Sequence, residues 1–324
     1  MTVAVFYKLL AIFLTVALGF VAGRMRWLGS VQHDPARVLG HAALYIFVPA
    51  LLFRTTVRLD FAAMPWPTVV AFFVPVLAVL GAVYNWQRLR PGGQADGAAA
   101  PSVRAIGASF GNSVQVGIPL AAALFGEAGL GIHIALVSLH ALALLSVLTV
   151  LAELDLARAG KAGRGSLLQT LAATARNTIV HPVVLPVLAG LAWNATGLGL
   201  HPVADETLAT LGSAVVPVCL VLIGMTLAYH GLQGRAVGAL KLSLLKLLLL
   251  PAAVLLVARW GFGLSGLPLQ VVVMMAALPA GSNVLIFAQR YRTLEAEANA
   301  TIVFSTLGFV ATASLWLLVL AWLG

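Results

Sequence analysis

The sequence predicts an all-α integral membrane protein whose ten transmembrane helices form a five-plus-five inverted-topology repeat. Its composition, the number of its apolar segments and two interrupted segments at matching places lead to this prediction. The chain has 324 residues, of which 61% are hydrophobic and 9% are charged, and its mean hydropathy is +1.02. Soluble domains carry about 25% charged residues, so a water-soluble fold is excluded.

Ten apolar segments are long enough to cross a bilayer at about 20 residues per crossing. In chain order the predicted spans are 5–23, 37–57, 66–88, 103–125, 129–151, 168–194, 205–229, 236–258, 268–290 and 297–322. Spans four and nine contain glycine and proline among polar residues, so we expect both helices to be discontinuous and to cross.

An internal repeat relates the two halves, because five residues of the first half recur in order at offsets of 167 to 176 residues. The matched pairs are Gly23 and Gly190, Pro49 and Pro217, Pro75 and Pro251, Asn112 and Asn283, and Ser138 and Ser305. They predict a first repeat in 1–151, a short cytoplasmic linker in 152–167 and a second repeat in 168–324. Because five is odd, the second repeat must enter the membrane from the opposite side.

The basic residues predict the orientation, because cytoplasmic loops carry an excess of Lys and Arg. Most of them fall in the connections after spans one, three, five, seven and nine: Arg24, Arg26, Arg37, Arg88, Arg90, Arg104, Arg158, Lys161, Arg164, Arg176, Arg235, Arg290 and Arg292. Both termini are then expected on the outer side. The net charge of +9 does not indicate a nucleic-acid partner, since these residues are scattered between apolar runs.

The interrupted segments are 107–126 and 276–291. Their breaks are attributed to two prolines and two glycines: Pro119, Pro279, Gly111 and Gly281. A broken helix survives in lipid only where its freed polar groups are buried in protein or line a watery cavity. Two such segments in corresponding positions of two halves mark the substrate site of a transporter.

Uncharged polar side chains cluster at these breaks and are the predicted substrate ligands: Asn112, Asn283, Ser113, Gln115 and Ser282. An amide offers both donors and an acceptor, and helix N-termini beside it add partial positive charge for an anionic group. The same residues could instead cap the broken helix ends or hydrogen-bond between helices.

Four further residues in the spans are given roles of other kinds. Lys246 lies near the middle of span eight, where a charge is costly. In a functional role it attracts an anionic substrate or replaces a coupling ion. In a structural role its side chain snorkels toward the interface or pairs with a helix-end carbonyl. His140 is titratable, although a packing histidine is the commoner case. Pro49 and Pro217 are expected to kink spans two and seven and to shape the cavity wall.

Enzyme and metal motifs are absent from the sequence: it has no H-E-x-x-H, G-x-S-x-G, P-loop or Cys-x-x-Cys pattern. All ten acidic residues fall in predicted loops or at span ends. These observations argue against an intramembrane aspartyl protease and against a proton relay of midplane acids. We expect no catalytic residue, no metal and no cofactor.

Three motifs resemble the auxin efflux carrier family, which includes bacterial malonate transporters and plant PIN auxin carriers. They are FGNSVQVGIPL at 110–120, LPAGSNVLIFAQRY at 278–291 and VPALLF in span two. The resemblance implies a scaffold domain of spans one, two, six and seven and a transport domain of spans three to five and eight to ten, which moves like an elevator. It also implies that Asn112 and Asn283 contact a substrate carboxylate.

The expected function is therefore secondary transport of small organic anions, either malonate-like carboxylates or auxin-like acids. A channel or a membrane receptor built on the same fold is the alternative. The expected location is the bacterial inner membrane, with membrane lipids as neighbours and a homodimer formed through the scaffold domain.

Overall fold

A computed structural model describes residues 3–29, 35–58, 66–90, 95–159, 184–230 and 236–323, together with positions 92, 176, 179, 180 and 182. The described residues form helices and connecting turns, without a β-strand. The chain divides into two compact units, which are described separately.

The first unit comprises residues 1–65, 113–138 and 179–231. Its described helices are α1 (Val3–Arg24), α2 (Pro35–Val57), the first part of α5 (Ser113–Arg158), α6 (Val184–Ala195), α7 (Pro202–Ser213) and α8 (Val215–His230). Helix α1 packs along α8, and α2 packs against α6 and α7. A methyl group on Gly19 or Gly224 would overlap the backbone of the opposite helix, so these glycines permit the close contact of α1 with α8.

The second unit comprises residues 66–112, 139–178 and 232–324. Its described helices are α3 (Trp66–Leu89), α4 (Ala100–Ser109), the remainder of α5, α9 (Val237–Gly261), α10 (Gly266–Ala277), α11 (Asn283–Arg290) and α12 (Glu295–Trp322). Helix α3 packs against α4, α9 and α10, and α12 packs against α9, α10 and α11.

Within the described residues, six helical segments are long and apolar enough to cross a membrane: Pro35–Val57, Trp66–Leu89, Ser113–Arg158, Pro202–Met225, Val237–Gly261 and Glu295–Trp322. Shorter apolar helices cover Leu14–Arg24, Val184–Ala195 and Gly266–Ala277. Half of the predicted linker (160–167), and most of the start of predicted span six, lie outside the described residues. The count of ten spans, the repeat boundaries and the division into scaffold and transport domains stay predictions.

Three π turns, in which the hydrogen bonds run from i to i+5, each end two residues before a proline. They are Ala43–Phe47 before Pro49, Ser113–Gly117 before Pro119, and Leu245–Leu249 before Pro251. A proline has no N–H and its ring clashes with the carbonyl four residues earlier. The helix accommodates it by widening for one turn, which is how a sequence proline becomes a local bulge rather than a break.

Pro251 shows how the carbonyl released by such a proline is satisfied. In an uninterrupted α-helix, residue 251 would donate to the carbonyl of Leu247. Instead, the indole N–H of Trp316 on α12 donates to that oxygen at 2.8 Å, in a buried setting. The contact ties α12 to the widened turn of α9.

Ion pairs in the second unit lie at helix ends. Arg104 on α4 donates through Nε to Glu297 at 2.9 Å and through Nη2 to Asp96 at 2.8 Å. Glu297 is in the first turn of α12, and it is 4% exposed. At the end of α5, the Asp155 carboxylate accepts from the Tyr84 hydroxyl at 2.8 Å. These charged groups are thus paired near the ends of the helices.

We expect Trp316→Phe to lower the free energy of unfolding by about 1–3 kcal/mol, because it leaves the buried Leu247 carbonyl without its indole donor. In a Pro251→Ala background the new N–H at residue 251 can serve that carbonyl, so the same substitution should cost much less. Thermal unfolding of the four proteins in detergent measures this coupling. Equal costs in both backgrounds would show that the indole bond does not compensate for the proline.

Candidate functional site

Two helix breaks lie in the second unit. Each is a short non-helical segment between two helices that follow one another in the sequence. Helix α4 ends at Ser109, and Phe110 is extended, with φ −83° and ψ 108°. Helix α10 ends at Ala277, and Leu278 is likewise extended, with φ −56° and ψ 148°. The first break covers 110–112 and the second covers 278–282.

The breaks pair with each other as a two-residue antiparallel bridge between Gly111 and Ala280. The Asn112 N–H donates to the carbonyl of Pro279 at 2.7 Å, and the Gly281 N–H donates to the carbonyl of Phe110 at 3.0 Å. These reciprocal bonds satisfy backbone N–H and C=O groups that have no partner within a helix because the helices are interrupted here. In such a pair the two central residues are not bonded to each other, and their Cα atoms approach to about 4.5 Å.

Small residues make this pairing possible. A Cβ on Gly281 would lie 3.0 Å from the carbonyl oxygen of Gly111 and 3.3 Å from the Asn112 Cα, so any side chain at 281 pushes against the opposite backbone. Gly111 and Ala280, at the centre of the bridge, are both buried. Gly281 therefore serves close backbone approach, which is a more specific role than general flexibility.

Ser305 on α12 completes the second break. Its hydroxyl accepts a hydrogen bond from the Ala280 N–H at 2.9 Å, and it is fully buried. Pro279 has no N–H and needs no acceptor, and the N–H groups of Ala280 and Gly281 donate to Ser305 and to the facing break, respectively. The sequence repeat had paired Ser305 with Ser138, but no local pattern indicated this contact.

Lys246 lies fully buried beside the bridge. Its ammonium donates to the carbonyl of Ala276, in the last turn of α10, at 2.6 Å, and a Cβ on Gly111 would be only 3.5 Å from its Nζ. A cation at a helix C-terminus complements the helix dipole. Of the alternatives for Lys246, snorkelling is inconsistent with this burial, whereas pairing with a helix-end carbonyl is what the geometry shows.

Three of the predicted ligands flank the bridge in this unit. Asn112 and Asn283 are half-buried and Ser282 is exposed. Ser282 precedes α11 but its side chain makes no capping hydrogen bond, so the capping alternative does not account for Ser282. Asn283 is the first residue of α11, where backbone N–H groups lack partners within the helix.

The other two predicted ligands belong to the first unit. Ser113 is buried and Gln115 is half-buried, and both lie in the π turn that opens α5. The ring of His133 donates through Nε2 to the Ser113 carbonyl at 2.8 Å, which fixes the start of the turn. Pro119 follows this turn inside α5, seven residues beyond the break at 110–112. Its part in forming the break stays a prediction.

The remaining predicted residues are a histidine packed against aromatic rings and two prolines within helices. The buried His140 ring lies 4.5 Å from the ring of Phe110 and 6.0 Å from that of Phe72, measured between centroids. Pro49 follows a π turn in α2. Pro217 is near the start of α8, after the interruption at Ala214 between α7 and α8. Their role in a cavity wall stays a prediction.

Comparison with known proteins assigns the chain to a family. A family described as "Membrane transport protein" matches residues 4–317, nearly the whole chain. The chain belongs to this family of membrane transporters. The match confirms the resemblance to auxin efflux carriers, and it makes the protein an integral membrane transporter rather than an enzyme.

Curated relatives are consistent with this assignment. The chain is 27% identical over 316 residues to "Uncharacterized transporter YfdV" of Escherichia coli strain K12, with 96% of each chain covered. It is 24% identical over 318 residues to an "Uncharacterized transporter" of Methanothermobacter thermautotrophicus, covering 96% of this chain and 97% of the relative. It is also 31% identical to a "Putative malonate transporter" of Rhizobium meliloti strain 1021, over 140 residues and 43% of each chain.

We expect Gly281→Ala to open the bridge, because the added methyl group meets the backbone of Gly111 and Asn112. Hydrogen–deuterium exchange of peptides covering 108–114 and 278–284 should become faster, since the amides of Asn112 and Gly281 lose their acceptors. Gly81→Ala is a matched control, as a Cβ there meets nothing within 4 Å and alanine favours the helix. Unchanged exchange in Gly281→Ala would contradict the importance of this close approach.

Proposed function

We propose that this protein is a secondary transporter of small organic anions that binds a substrate carboxylate at the paired helix breaks. The observation that supports this most is the bridge itself, in which two unwound segments of a membrane transporter meet and are flanked by Asn112 and Asn283. Unwound backbone inside a membrane protein is tolerated only at such protein-lined places, and transporters use it to bind substrates and ions.

The chemistry of the flanking groups suits a carboxylate. The amide groups of Asn112 and Asn283 can donate hydrogen bonds to carboxylate oxygens. Asn283 is also the first residue of α11, where the helix dipole adds partial positive charge. Within the described residues of this unit, the buried Lys246 is not in an ion pair with an acid, so its positive charge favours an anion in this region.

The ten-span inverted repeat agrees with two features of the helices. The bridge is antiparallel, so the two broken segments run in opposite directions, as two oppositely inserted halves require. The segment Ser113–Arg158 has 46 residues, roughly 69 Å of helix, which is twice what a hydrocarbon core of about 30 Å accommodates. Gly126 interrupts it with φ 65° and ψ −161°, a suitable point for a turn between two crossings.

The division of the chain into two compact units supports the proposal of an elevator mechanism. The residues of predicted spans one, two and seven fall in the first unit, and those of spans three, eight, nine and ten fall in the second. The assignment differs from the expected domains at 113–138, which belong to the first unit. We propose that the second unit moves during transport and that the first unit is the scaffold, through which two copies form a dimer. The protein lies in the bacterial inner membrane with both termini on the outer side.

The choice of malonate-like carboxylates as the first substrates to test follows from the name of the Rhizobium relative. Auxin-like acids are the second choice, since the family includes auxin efflux carriers. Both kinds of substrate present a carboxylate to the same amide groups, and they differ in the remainder of the molecule.

We expect saturable uptake of labelled malonate or indole-3-acetate into proteoliposomes, with sodium, pH and voltage gradients imposed separately. Asn112→Ala and Asn283→Ala should each lower uptake at least tenfold, because each removes one neutral donor pair worth roughly 1.5–3 kcal/mol against a charged group. Asn85→Ala is the matched control, since that exposed side chain donates to the Gly81 carbonyl of its own helix.

The outcomes separate the possibilities for this site. Uptake that matches the unsubstituted protein in both asparagine variants would contradict the site assignment. Flux that does not saturate with substrate and shows single-channel steps would indicate a channel. Absence of uptake for both anions would contradict the substrate class and leave the family membership intact.

Lys246→Gln tests whether the buried charge acts on the substrate. Glutamine can still donate to the Ala276 carbonyl but lacks the charge, so a purely structural cap predicts uptake close to that of the unsubstituted protein. We expect the KM for the anion to rise several-fold, because the attraction toward the bridge is lost. Thermal stability should change less than in Lys246→Met, which loses the hydrogen bond as well. Unchanged KM in Lys246→Gln would assign Lys246 to helix capping alone.

A further inference from the structure

A groove in the second unit, whose lining does not include the bridge residues, has charged groups at one end and leucines along the rest. Its volume is about 700 Å³, and residues at the end of α3, the start of α4, one face of α9 and the start of α12 line it. We call it the α9 groove. Along α9 it extends from Val237 to Leu249, roughly 18 Å of helix, comparable to half of a hydrocarbon core.

Positive charge is in excess at the polar end of the α9 groove. The lining includes Arg90, Arg104 and Lys241, with Glu297 as its acid. Arg104 already pairs with Glu297 at 2.9 Å. Arg90 and Lys241 are exposed, and in the described part of the chain neither forms an ion pair with a carboxylate. Two positive charges are therefore available to a ligand.

The inner wall of this end has polar atoms that lack partners. Gln87 is 5% exposed and Arg104 is 6% exposed. The side-chain oxygen of Gln87 and Nη1 of Arg104 have no hydrogen-bond partner among the described residues. One is an acceptor and the other a donor, so a ligand that has both a hydroxyl group and anionic oxygens matches them.

The apolar part of the groove faces outward. Leu244, Leu248 and Leu249 are 49%, 37% and 49% exposed, and they lie three to eight residues beyond Lys241 on the same helix. Trp86, 60% exposed, stands at the polar end, where an aromatic side chain of a membrane protein typically meets the headgroup layer. Polar and apolar ends are thus ordered along the axis of a predicted membrane span.

We propose that the α9 groove binds one anionic phospholipid with a hydroxylated headgroup, of the phosphatidylglycerol type. The phosphate lies against Arg90 and Lys241, the headgroup hydroxyls lie toward Gln87, and an acyl chain lies along the leucines of α9. Basic pockets between membrane helices on the cytoplasmic side are a recurring form of anionic headgroup site, and the sequence predicts that these helix ends face the cytoplasm.

The occupant is a lipid rather than a soluble phosphate because the polar and apolar parts form one groove. Excess charge alone would suit any phosphate. The exposed leucines would gain nothing from inorganic phosphate, whereas an acyl chain covers them in the orientation that a membrane imposes. The inference does not depend on which anion the protein transports.

Native mass spectrometry of the full-length protein in detergent tests this site. With equal amounts of phosphatidylglycerol and phosphatidylcholine of the same acyl chains, we expect one phosphatidylglycerol to be retained in preference. Arg90→Gln with Lys241→Gln should reduce that preference, roughly fivefold for each charge removed. Arg24→Gln is the matched control, because Arg24 is an exposed arginine at the end of α1, in the other unit.

Each remaining outcome decides for or against the site. Retention of phosphatidylcholine to the same extent would overturn the proposal, and so would an equal loss in Arg24→Gln. Displacement of the lipid by inorganic phosphate or glycerol 3-phosphate at lipid-like concentration would overturn the lipid and leave a soluble phosphate site. Retained melting temperatures in the double variant show that loss of lipid is not loss of fold; a lowered temperature is resolved by testing Lys241→Gln alone.

Discussion

Reciprocal backbone hydrogen bonding between two broken helices is the constraint on which this structure depends. A peptide group freed from a helix inside a membrane must find a partner in the protein unless it lines a watery cavity, because lipid offers no hydrogen bonds. The Asn112 N–H and the Gly281 N–H find theirs on the facing break, and the Ala280 N–H finds its partner on Ser305. Two interruptions that would each be costly alone are thus stable as a pair.

This pairing determines which residues the surroundings can hold. The close approach of two backbones favours glycine at 281, where a Cβ would press on the backbone of Gly111 and Asn112. The C-terminal end of α10 points a carbonyl of its last turn at Lys246, so a charge that would be unfavourable in lipid has a defined partner. Polar side chains at the breaks are then left accessible, as the half-buried Asn112 and Asn283 are.

Proline has two different effects at positions 49, 119, 251 and 279, and the difference is one of context. Pro279 lies in a break, where the missing N–H is not needed. Pro49, Pro119 and Pro251 follow π turns, in which the helix widens and continues. At Pro251 the released carbonyl is bonded by Trp316 from another helix. A proline therefore marks a weak point in a membrane helix, and tertiary contacts decide whether that point becomes a bulge or a break.

The sequence by itself determined the membrane class, the family resemblance, the two interrupted segments and the polar residues at them. These properties follow from composition and from glycine and proline at local spacing, which a single chain displays. The tertiary structure alone decided the register of Gly111 with Ala280, the partner of Lys246, and the contacts of Ser305 and Trp316. It also showed that a π turn lies between the first break and Pro119. Those contacts join residues separated by 25 to 169 positions, and a hydrogen bond between distant segments leaves no periodic trace in either of them.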